Sequence, residues 1–558
     1  MENTLNDKQV KIQPLDHLGL VSATIEKLKL VEKIDKRLPV AKNKGAKVTM
    51  GNRVKAMILN GLGFIDDRLY MFPEFLEKKP VDRLFSDNLK ANDFNDDVIG
   101  RCLDEIYDYG VTKLFSELAF EVGAENNLLG KAANFDTSTI SVYGEYDNGN
   151  NEASTENNSA SKKPIEITRG FSKDKRFDLK QMVINLATTG ASGFPIWMEA
   201  HSGNASDKTI IQEAAQRMKN FCQQLKDAPS FLFVGDSAMY ENCVKKAGNF
   251  TWLSRVPETI GDAKKIISQA DSDFSWIQMP DGYRITAMQS NYGNVPQRWL
   301  LVFSQQAYER EIKTFDKKIE KEKAEFEKTL WHLSNQSFAC EKDARKQAEA
   351  EVKKLKYHRV IGWEISTAAK HDKKGRPVKN SAAKKTEYFI AGSLEQDMEK
   401  IELARRAKGR FILATNELDN SKLSDEQMLP EYKEQAKTES GFRFIKGNAM
   451  EVSSVFLKKE SRIEALMMIM TLCLMVYSFA QYFLRVALQK NNETVPNQLK
   501  KPTQTPTMNW IYRMFYGVGI VIVDFGSHTE TIVANLKEVT RRIVSYFGTY
   551  AEKIYGLY

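Results

Sequence analysis

The feature that most constrains the fold is a long apolar run, ALMMIMTLCLMVYSFAQYFL, from Ala465 to Leu484. As a helix it is long enough to cross a bilayer, but a helix that is apolar on every side also suits the centre of a large soluble domain. The run includes Thr, Ser, Gln and Tyr, and the cations around it show no one-sided bias. The pattern therefore favours a buried core helix over a membrane span. The flanking cations are Lys458, Lys459, Arg462 and Arg485.

The composition is that of a large soluble protein. The chain has 558 residues, of which 42% are hydrophobic, so several domains with substantial cores are expected. The five cysteines show no C-x-x-C spacing, which indicates neither a zinc site nor a disulfide framework. The first residues, MENTLNDKQVKIQPLDH, lack the apolar core of a signal peptide. We therefore expect a cytoplasmic protein.

Two aspartates stand on or directly after predicted strands. Asp136 lies in AANFDTSTISVYGEY, a run rich in β-branched residues, and Asp236 follows the apolar strand 231–234 and one glycine. Between them, DLKQMVINLATTG and FPIWMEAHSG predict two strands joined at residues 190–193, and residues 207–225 show helical periodicity. The predicted order is strand, strand, strand, helix, strand.

A third acid lies in YKEQAKTESGFRFIK, where Tyr432, Gln435, Glu439 and Lys446 are three, four and seven residues apart. On a helix this spacing sets the four side chains on one face. An acid flanked by a phenol, an amide and a cation suits a metal bound beside a phosphate.

This pattern resembles the Y-R-E-K signature of bacterial insertion-sequence DDE transposases, the insertion sequence 4-like group. Glu439 matches the third acid of that family, and Asp136 and Asp236 match the first two. GFSKDKRFDLKQ from Gly170 and HSGNASDKT from His201 are similar to two further family motifs. A lone histidine at a strand end is more often structural than catalytic, so His201 is not assigned a catalytic role.

The resemblance implies an α/β fold with an RNase H-like catalytic core, a mixed five-stranded sheet with flanking helices. It also implies that Asp136, Asp236 and Glu439 are the catalytic residues and hold two Mg²⁺ ions, for which Mn²⁺ can substitute. In the implied reaction, water cuts a strand at the end of the element and the freed 3′-hydroxyl attacks target DNA. The implied partners are double-stranded DNA, both transposon ends and target, and a second copy in a synaptic homodimer. The implied location is the bacterial nucleoid.

Several cations and polar residues are candidates for DNA contact. The family's usual arginine is Gln435 here, which lacks a permanent charge and bidentate phosphate geometry. Basic stretches at 370–385 and 405–410 are either DNA contacts or solvated loops. The predicted DNA-binding residues are Tyr432, Gln435, Arg443, Lys446, Arg169, Lys173 and Lys180.

The chain divides into five predicted segments. Residues 1–125 form a helical domain, for which DNA-end binding and a packing or dimerisation role both remain open. The core is split by an insertion in which residues 308–333 and 340–357 predict a charged helical hairpin. The remaining boundaries are 126–300 for the first part of the core with a polar linker at 147–163, 301–400 for the insertion, 401–490 for the second part of the core with the Glu439 helix, and 491–558 for a C-terminal helical segment.

Two other classes of function remain open from the sequence. An RNase H-like metal-dependent nuclease would cut strands without joining them. A non-enzymatic DNA-binding protein would carry the same acids as ordinary surface carboxylates.

Overall fold

A computed structural model describes most of the chain and divides it into two compact units. The first unit is Met1–Ser254 with Pro430–Tyr558, and the second is Arg255–Leu429. The described residues are 9–40, 47–63, 72–85, 89–143, 146, 163–225, 230–246, 250–370, 385–447, 457–525 and 527–558. The predicted linker at 147–163 and the basic stretch at 370–385 lie almost entirely outside them.

The elements follow in chain order, helices first. The helices are α1 (Leu18–Lys27), α2 (Leu30–Arg37), α3 (Met50–Leu62), α4 (Phe72–Glu77), α5 (Val81–Leu84), α6 (Asp96–Tyr109), α7 (Val111–Glu125), α8 (Asp207–Cys222), α9 (Ser237–Lys246), α10 (Gly261–Ile267), α11 (Gln305–Asn335), α12 (Glu341–Val352), α13 (Met398–Arg406), α14 (Asp425–Lys433), α15 (Gln435–Ile445), α16 (Glu460–Lys490), α17 (Met508–Met514), α18 (Glu538–Tyr546) and α19 (Thr549–Ile554). The strands are β1 (Gln9–Pro14), β2 (Ala132–Val142), β3 (Lys180–Thr189), β4 (Phe194–Ser202), β5 (Leu232–Gly235), β6 (Trp252–Arg255), β7 (Ile277–Met279), β8 (Tyr283–Ser290), β9 (Gln297–Ser304), β10 (His358–Lys370), β11 (Lys385–Gln396), β12 (Arg410–Thr415), β13 (Val495–Pro496), β14 (Pro502–Thr503), β15 (Gly519–Asp524) and β16 (Thr529–Ala534).

The N-terminal region is mainly helical. Helices α1 to α7 follow strand β1, and helices α3 and α6 begin at side chains that cap the helix. The Thr49 hydroxyl accepts from the Asn52 N–H at 3.2 Å, and the Asn95 amide oxygen accepts from the Val98 N–H at 2.9 Å. These bonds satisfy N–H groups that the first turn of a helix leaves without partners.

The apolar run is helix α16, and it is a buried core helix. It is long and apolar enough to cross a membrane, yet most of its residues are buried inside the first unit. It packs against α1, α3, α6 and α7 and against strand β4. These neighbours cover several sides of the helix, which agrees with the prediction of an all-round apolar core element.

The strands of the first unit form a mixed arrangement in the order β4-β3-β2-β5-β6. Strand β2 is antiparallel to β3 and parallel to β5, and β5 is parallel to β6. The tight turn between β3 and β4 uses Gly190 and Gly193 at φ values of +67° and +63°, which favour glycine. This mixed α/β architecture with an N-terminal helical region is consistent with an RNase H-like transposase core.

The second unit contains the predicted charged helices, α11 and α12. Leu333 of α11, Ala344 and Ala348 of α12 and Ile390 of β11 form a small buried cluster. The sequence did not predict the antiparallel pair β10 and β11, which completes this cluster and supplies Ile390. The insertion is therefore a mixed module and not a helical hairpin alone.

The C-terminal segment 491–558 was predicted to be helical, and its described residues form strands β13 to β16 as well as helices α17 to α19. Strand β15 pairs with β16 and also with β1, at the other end of the chain. The run GIVIVD from Gly519 to Asp524 is rich in β-branched residues, which favour strands. Its partner β1 is distant in sequence, so the pairing of β1 with β15 cannot be predicted from the C-terminal segment alone.

His17 links the two ends of the first unit. It is 5% exposed, its ring stacks on Tyr512 with centroids 4.2 Å apart, and its Nε2 atom lies 2.7 Å from the Leu62 carbonyl oxygen. Burial lowers the pKa of His17 from 6.5 to about 4, because the charged form would lose its hydration.

We predict that His17 makes the folded chain sensitive to acid. Below pH 6.5 the unfolded chain gains a proton that the folded chain rejects, so stability is full above pH 6.5 and falls as the pH approaches 4. Replacing His17→Gln, which keeps a donor for the Leu62 carbonyl, should reduce the loss of unfolding free energy between pH 7 and pH 5 by about 2 kcal/mol. Denaturant titrations at the two pH values measure this, and equal losses in both proteins would contradict it.

Candidate active site

The sheet register brings the two aspartates to neighbouring positions. In the parallel pair β2 and β5, Asn134 lies opposite Val234, and each aspartate is two residues further along its strand direction. Backbone N–H groups orient both side chains. Asp136 Oδ1 accepts from the Thr137 N–H at 2.7 Å, and Asp236 Oδ1 accepts from the Ala238 N–H at 2.9 Å, at the start of helix α9.

Helix α15 is held on strand β2 by buried polar contacts. The Thr438 hydroxyl donates to the Asn134 carbonyl at 3.0 Å and lies 2.6 Å from the Thr188 hydroxyl. Because Thr438 uses its single proton on the carbonyl, Thr188 is the donor in the second bond. Thr438 is fully buried, whereas the next residue, Glu439, is exposed. The contacts of Thr438 therefore fix the position on α15 from which the Glu439 side chain extends.

The three acids are close enough for their charges to interact. The pKa of Asp136 is raised from 3.8 to about 6, chiefly by burial, and the negative charges of Asp236 and Glu439 add to the increase. The Lys173 ammonium, 3.9 Å from Asp136 Oδ1, and the Thr137 N–H act in the opposite direction. Like charges near a partly buried carboxyl favour its protonated form.

The donor set fits a hard divalent cation. Carboxylate oxygens are the ligands that Mg²⁺ and Mn²⁺ prefer, and a cation would relieve the repulsion that raises the pKa of Asp136. Among the residues that the structure describes, no three histidine, cysteine or acidic side chains form a ready metal-binding cluster. The acids thus share one region without being gathered to ligand distances.

The signature residues lie on two consecutive helices, and the backbone stays helical between them. Tyr432 lies on α14 and Gln435 begins α15, and Glu434 between them has a φ of −60° and a ψ of −18°. Gln435 is 8% exposed, and its amide N–H donates to the Phe135 carbonyl at 3.4 Å. This residue packs the helix onto β2, so its predicted contact with DNA is not supported by its position.

The other predicted DNA contacts differ in their surroundings. Arg443 and Arg169 are exposed, and the Arg443 guanidinium donates to the Ser440 hydroxyl at 2.9 Å. Lys446 is paired with Asp174. Lys180 donates to the Tyr146 carbonyl. These last two contacts show that part of the predicted basic set is already engaged within the protein.

The basic stretch at 405–410 is largely engaged inside the second unit. Arg410 is 7% exposed, pairs with Asp271 and donates to the Ile267 carbonyl at 3.0 Å. Arg405 lies 3.5 Å from Asp316, and Arg406 lies 3.6 Å from Glu402. The solvated or structural alternative therefore describes this stretch better than a DNA contact.

His201 has a structural environment. Its Nε2 atom lies 3.1 Å from Glu199, a buried carboxylate that also accepts two bonds from the Arg217 guanidinium at 2.8 and 2.7 Å. Burial alone would raise the pKa of Glu199, but the bonds from Arg217 and His201 hold it at about 2. Glu199 and Thr438 were not among the predicted site residues, and Asp174 was noted only as part of a motif, because the contacts of each depend on a partner in another element.

The mixed α/β fold and the order of the three acids along the chain agree with the result of a comparison with known families. The family model described as Transposase DDE domain matches residues 136–476, more than half of the chain. The chain belongs to this family and is a catalytic DDE transposase. Residues 10–120 match a domain of unknown function, DUF4277.

The other comparisons add little. No curated protein matches the chain. A solved structure described as a piggyBac transposase synaptic complex with hairpin DNA, determined by cryo-EM, is similar over 91% of this chain and 82% of that chain. The identity is 10% and the TM-score is 0.34, which is too low to support an argument about this protein.

We predict that the first acid weakens the fold in metal-free buffer. The raised pKa means that ionised Asp136 destabilises the folded state above about pH 6, so Asp136→Asn should raise the unfolding free energy at pH 8 by about 1 to 3 kcal/mol. The gain should shrink as the pH falls from 6 to 4, because the wild-type carboxyl is then protonated in the folded chain. Denaturant titrations with EDTA measure the difference, and a loss of stability at pH 8 would contradict the prediction.

Proposed function

We propose that this transposase cuts DNA strands at the ends of an insertion sequence and transfers the freed ends into target DNA. The main support for the proposal is the placement of Asp136 and Asp236 at neighbouring positions of the parallel strands β2 and β5, within the region that matches the family. The third acid, Glu439, lies on a helix anchored to the first of these strands.

The three acids would hold two Mg²⁺ ions, with Mn²⁺ as a substitute. When bound, such ions activate the attacking oxygen and stabilise the leaving oxygen of a phosphodiester. The chain itself supplies the orientation: backbone N–H groups fix Asp136 and Asp236, and the buried Thr438 contacts fix Glu439. The first attacking group is water, and the second is the 3′-hydroxyl that the first cut releases.

The exposed cations near the third acid would bind the DNA backbone. Arg443 lies one helical turn after Glu439 on α15, and Lys446 is the C-cap residue of the same helix. Arg169 and Tyr432 complete the proposed contact set, whereas Lys173 lies against Asp136 and acts on the acid directly. Contacts of this kind release counterions and make binding salt-dependent.

The proposed partners follow from the two-ended reaction. Transfer of both ends of an element requires two copies of the active site, so we propose a homodimer that brings the ends together. The helical region matched at residues 10–120 is the proposed reader of the end sequence. The proposed location is the cytoplasm, at the nucleoid.

We predict that loss of the third acid abolishes the chemistry but not the fold. Glu439→Gln should reduce strand cleavage and joining by more than about a hundredfold, because even a residue that only supports a metal ligand is typically worth tenfold to a hundredfold. The assay uses purified protein, Mg²⁺ or Mn²⁺ and DNA that carries the ends of the flanking element. Glu426→Gln, an exposed acid on the preceding helix, is the matched control and should act as the wild type does.

The outcomes separate the candidate functions. Metal-dependent joining that Glu439→Gln abolishes supports the transposase reaction. Cleavage without joining would favour the nuclease alternative. Binding without any cleavage would contradict the proposed chemistry and favour a non-enzymatic role.

We also predict that Arg443 contributes one phosphate contact. Arg443→Gln should weaken binding of the element ends and reduce the slope of log K against log salt concentration by about 1. Lys490→Gln removes an exposed cation at the end of α16 and should leave the slope unchanged. Fluorescence anisotropy over a range of salt concentrations measures both, and equal slopes for wild type and Arg443→Gln would show that Arg443 makes no such contact.

A further inference from the structure

A tight turn at residues 171–176 lies against β2, the strand that carries Asp136. The Lys173 ammonium donates to the Thr137 carbonyl at 2.6 Å and to the Thr137 hydroxyl at 2.9 Å. The Lys173 backbone N–H donates to the Thr139 hydroxyl at 3.1 Å. These bonds fasten the turn to β2 immediately beside Asp136.

The next residue of the turn reaches the end of the signature helix. Both carboxylate oxygens of Asp174 accept from the Lys446 ammonium, at 3.0 and 2.8 Å. The Lys446 side chain is 23% exposed and that of Asp174 is 45% exposed. One dipeptide of the turn therefore contacts both the strand of the first acid and the lysine of the signature.

The backbone of the turn is fixed by its own hydrogen bonds. Lys175 adopts a left-handed conformation with φ of +59°, and its N–H donates to the Ser172 carbonyl at 3.1 Å. The buried Ser172 hydroxyl accepts from the Arg176 N–H at 3.1 Å. The Gln181 amide donates to the Phe171 carbonyl at 3.2 Å. Asp174 thus projects from a well-supported backbone.

We propose that Asp174 is a positioning residue that holds the Lys446 ammonium ready for a phosphate of the DNA strand being cut. The proposal rests on the proposed function, since Lys446 needs a phosphate beside the three acids. A free lysine side chain loses rotamer entropy when it is fixed in one conformation. The contact with Asp174 fixes Lys446 before DNA arrives, so less of that entropy is lost during the reaction.

Two features favour positioning over blocking of Lys446. The contacts with Asp174 account for at most two of the three ammonium N–H groups, so a phosphate oxygen can bind while Asp174 stays in place. A blocking carboxylate would have to withdraw, but the turn that carries Asp174 is tied to β2 through Lys173. An exposed ion pair also stabilises the fold little, which leaves orientation as its main effect.

The test compares Asp174→Asn and Asp174→Glu in the wild-type and Lys446→Gln backgrounds. With saturating end DNA, Asp174→Asn should lower the cleavage rate about twofold to fivefold with little change in DNA affinity, and Asp174→Glu should restore much of the rate. In the Lys446→Gln background, Asp174→Asn should cause no further loss. Thermal unfolding of each variant confirms that it folds.

Three results would overturn the proposal. Tighter binding with faster cleavage by Asp174→Asn would show that Asp174 blocks Lys446. An equal loss in both backgrounds would show a structural role. An unchanged rate in Asp174→Asn would show no role in the reaction.

A second readout keeps this proposal separate from the proposed function. Chemical labelling of lysines, read by mass spectrometry, should modify Lys446 about twofold to fivefold faster in Asp174→Asn than in the wild type, because an exposed ion pair is worth a factor of this size. Equal labelling would overturn the positioning even in an active enzyme. If the wild-type protein neither cuts nor joins DNA, the proposed function is wrong. Faster labelling of Lys446 in Asp174→Asn than in the wild type would still establish the contact between the two side chains.

Discussion

The proposed active site depends on a buried polar contact between Thr438 of helix α15 and the Asn134 carbonyl of strand β2. A buried hydroxyl without a partner is costly, so Thr438 and Thr188 together specify a single register of helix against strand. Because Glu439 follows Thr438 directly, that register also decides where the third acid meets the first. Helix α16 packs against α15 and β4 and supports the arrangement from within the core.

This arrangement of helix and strands places three carboxylates close together, although their negative charges repel one another. The raised pKa of Asp136 shows that burial and two neighbouring acids disfavour its ionised form in the metal-free protein. Lys173 offsets part of this, and a divalent cation would offset more. Functional sites commonly sacrifice stability in this way, which agrees with the proposed role of Asp136.

Much of the core could be predicted from local sequence. The apolar run of α16, the strands that carry or precede Asp136 and Asp236, and the glycine turn between β3 and β4 all have strong local patterns. Helical spacing also indicated that Glu439 lies on a helix. Spacing could not show which side of α15 meets the sheet, so Gln435 was expected at the DNA and lies instead against Phe135.

Other features depend on contacts between distant residues. The pairing of β1 with β15 and of Asp174 with Lys446 joins segments that no local pattern connects.

The most direct test of the account is Mn²⁺ binding to the full-length protein with element-end DNA, followed by electron paramagnetic resonance. We predict that the wild type binds Mn²⁺ and that Asp136→Asn, Asp236→Asn and Glu439→Gln each weaken this binding while the proteins remain folded. Mn²⁺ binding that is unchanged in all three variants would contradict the assignment of these acids to one metal site.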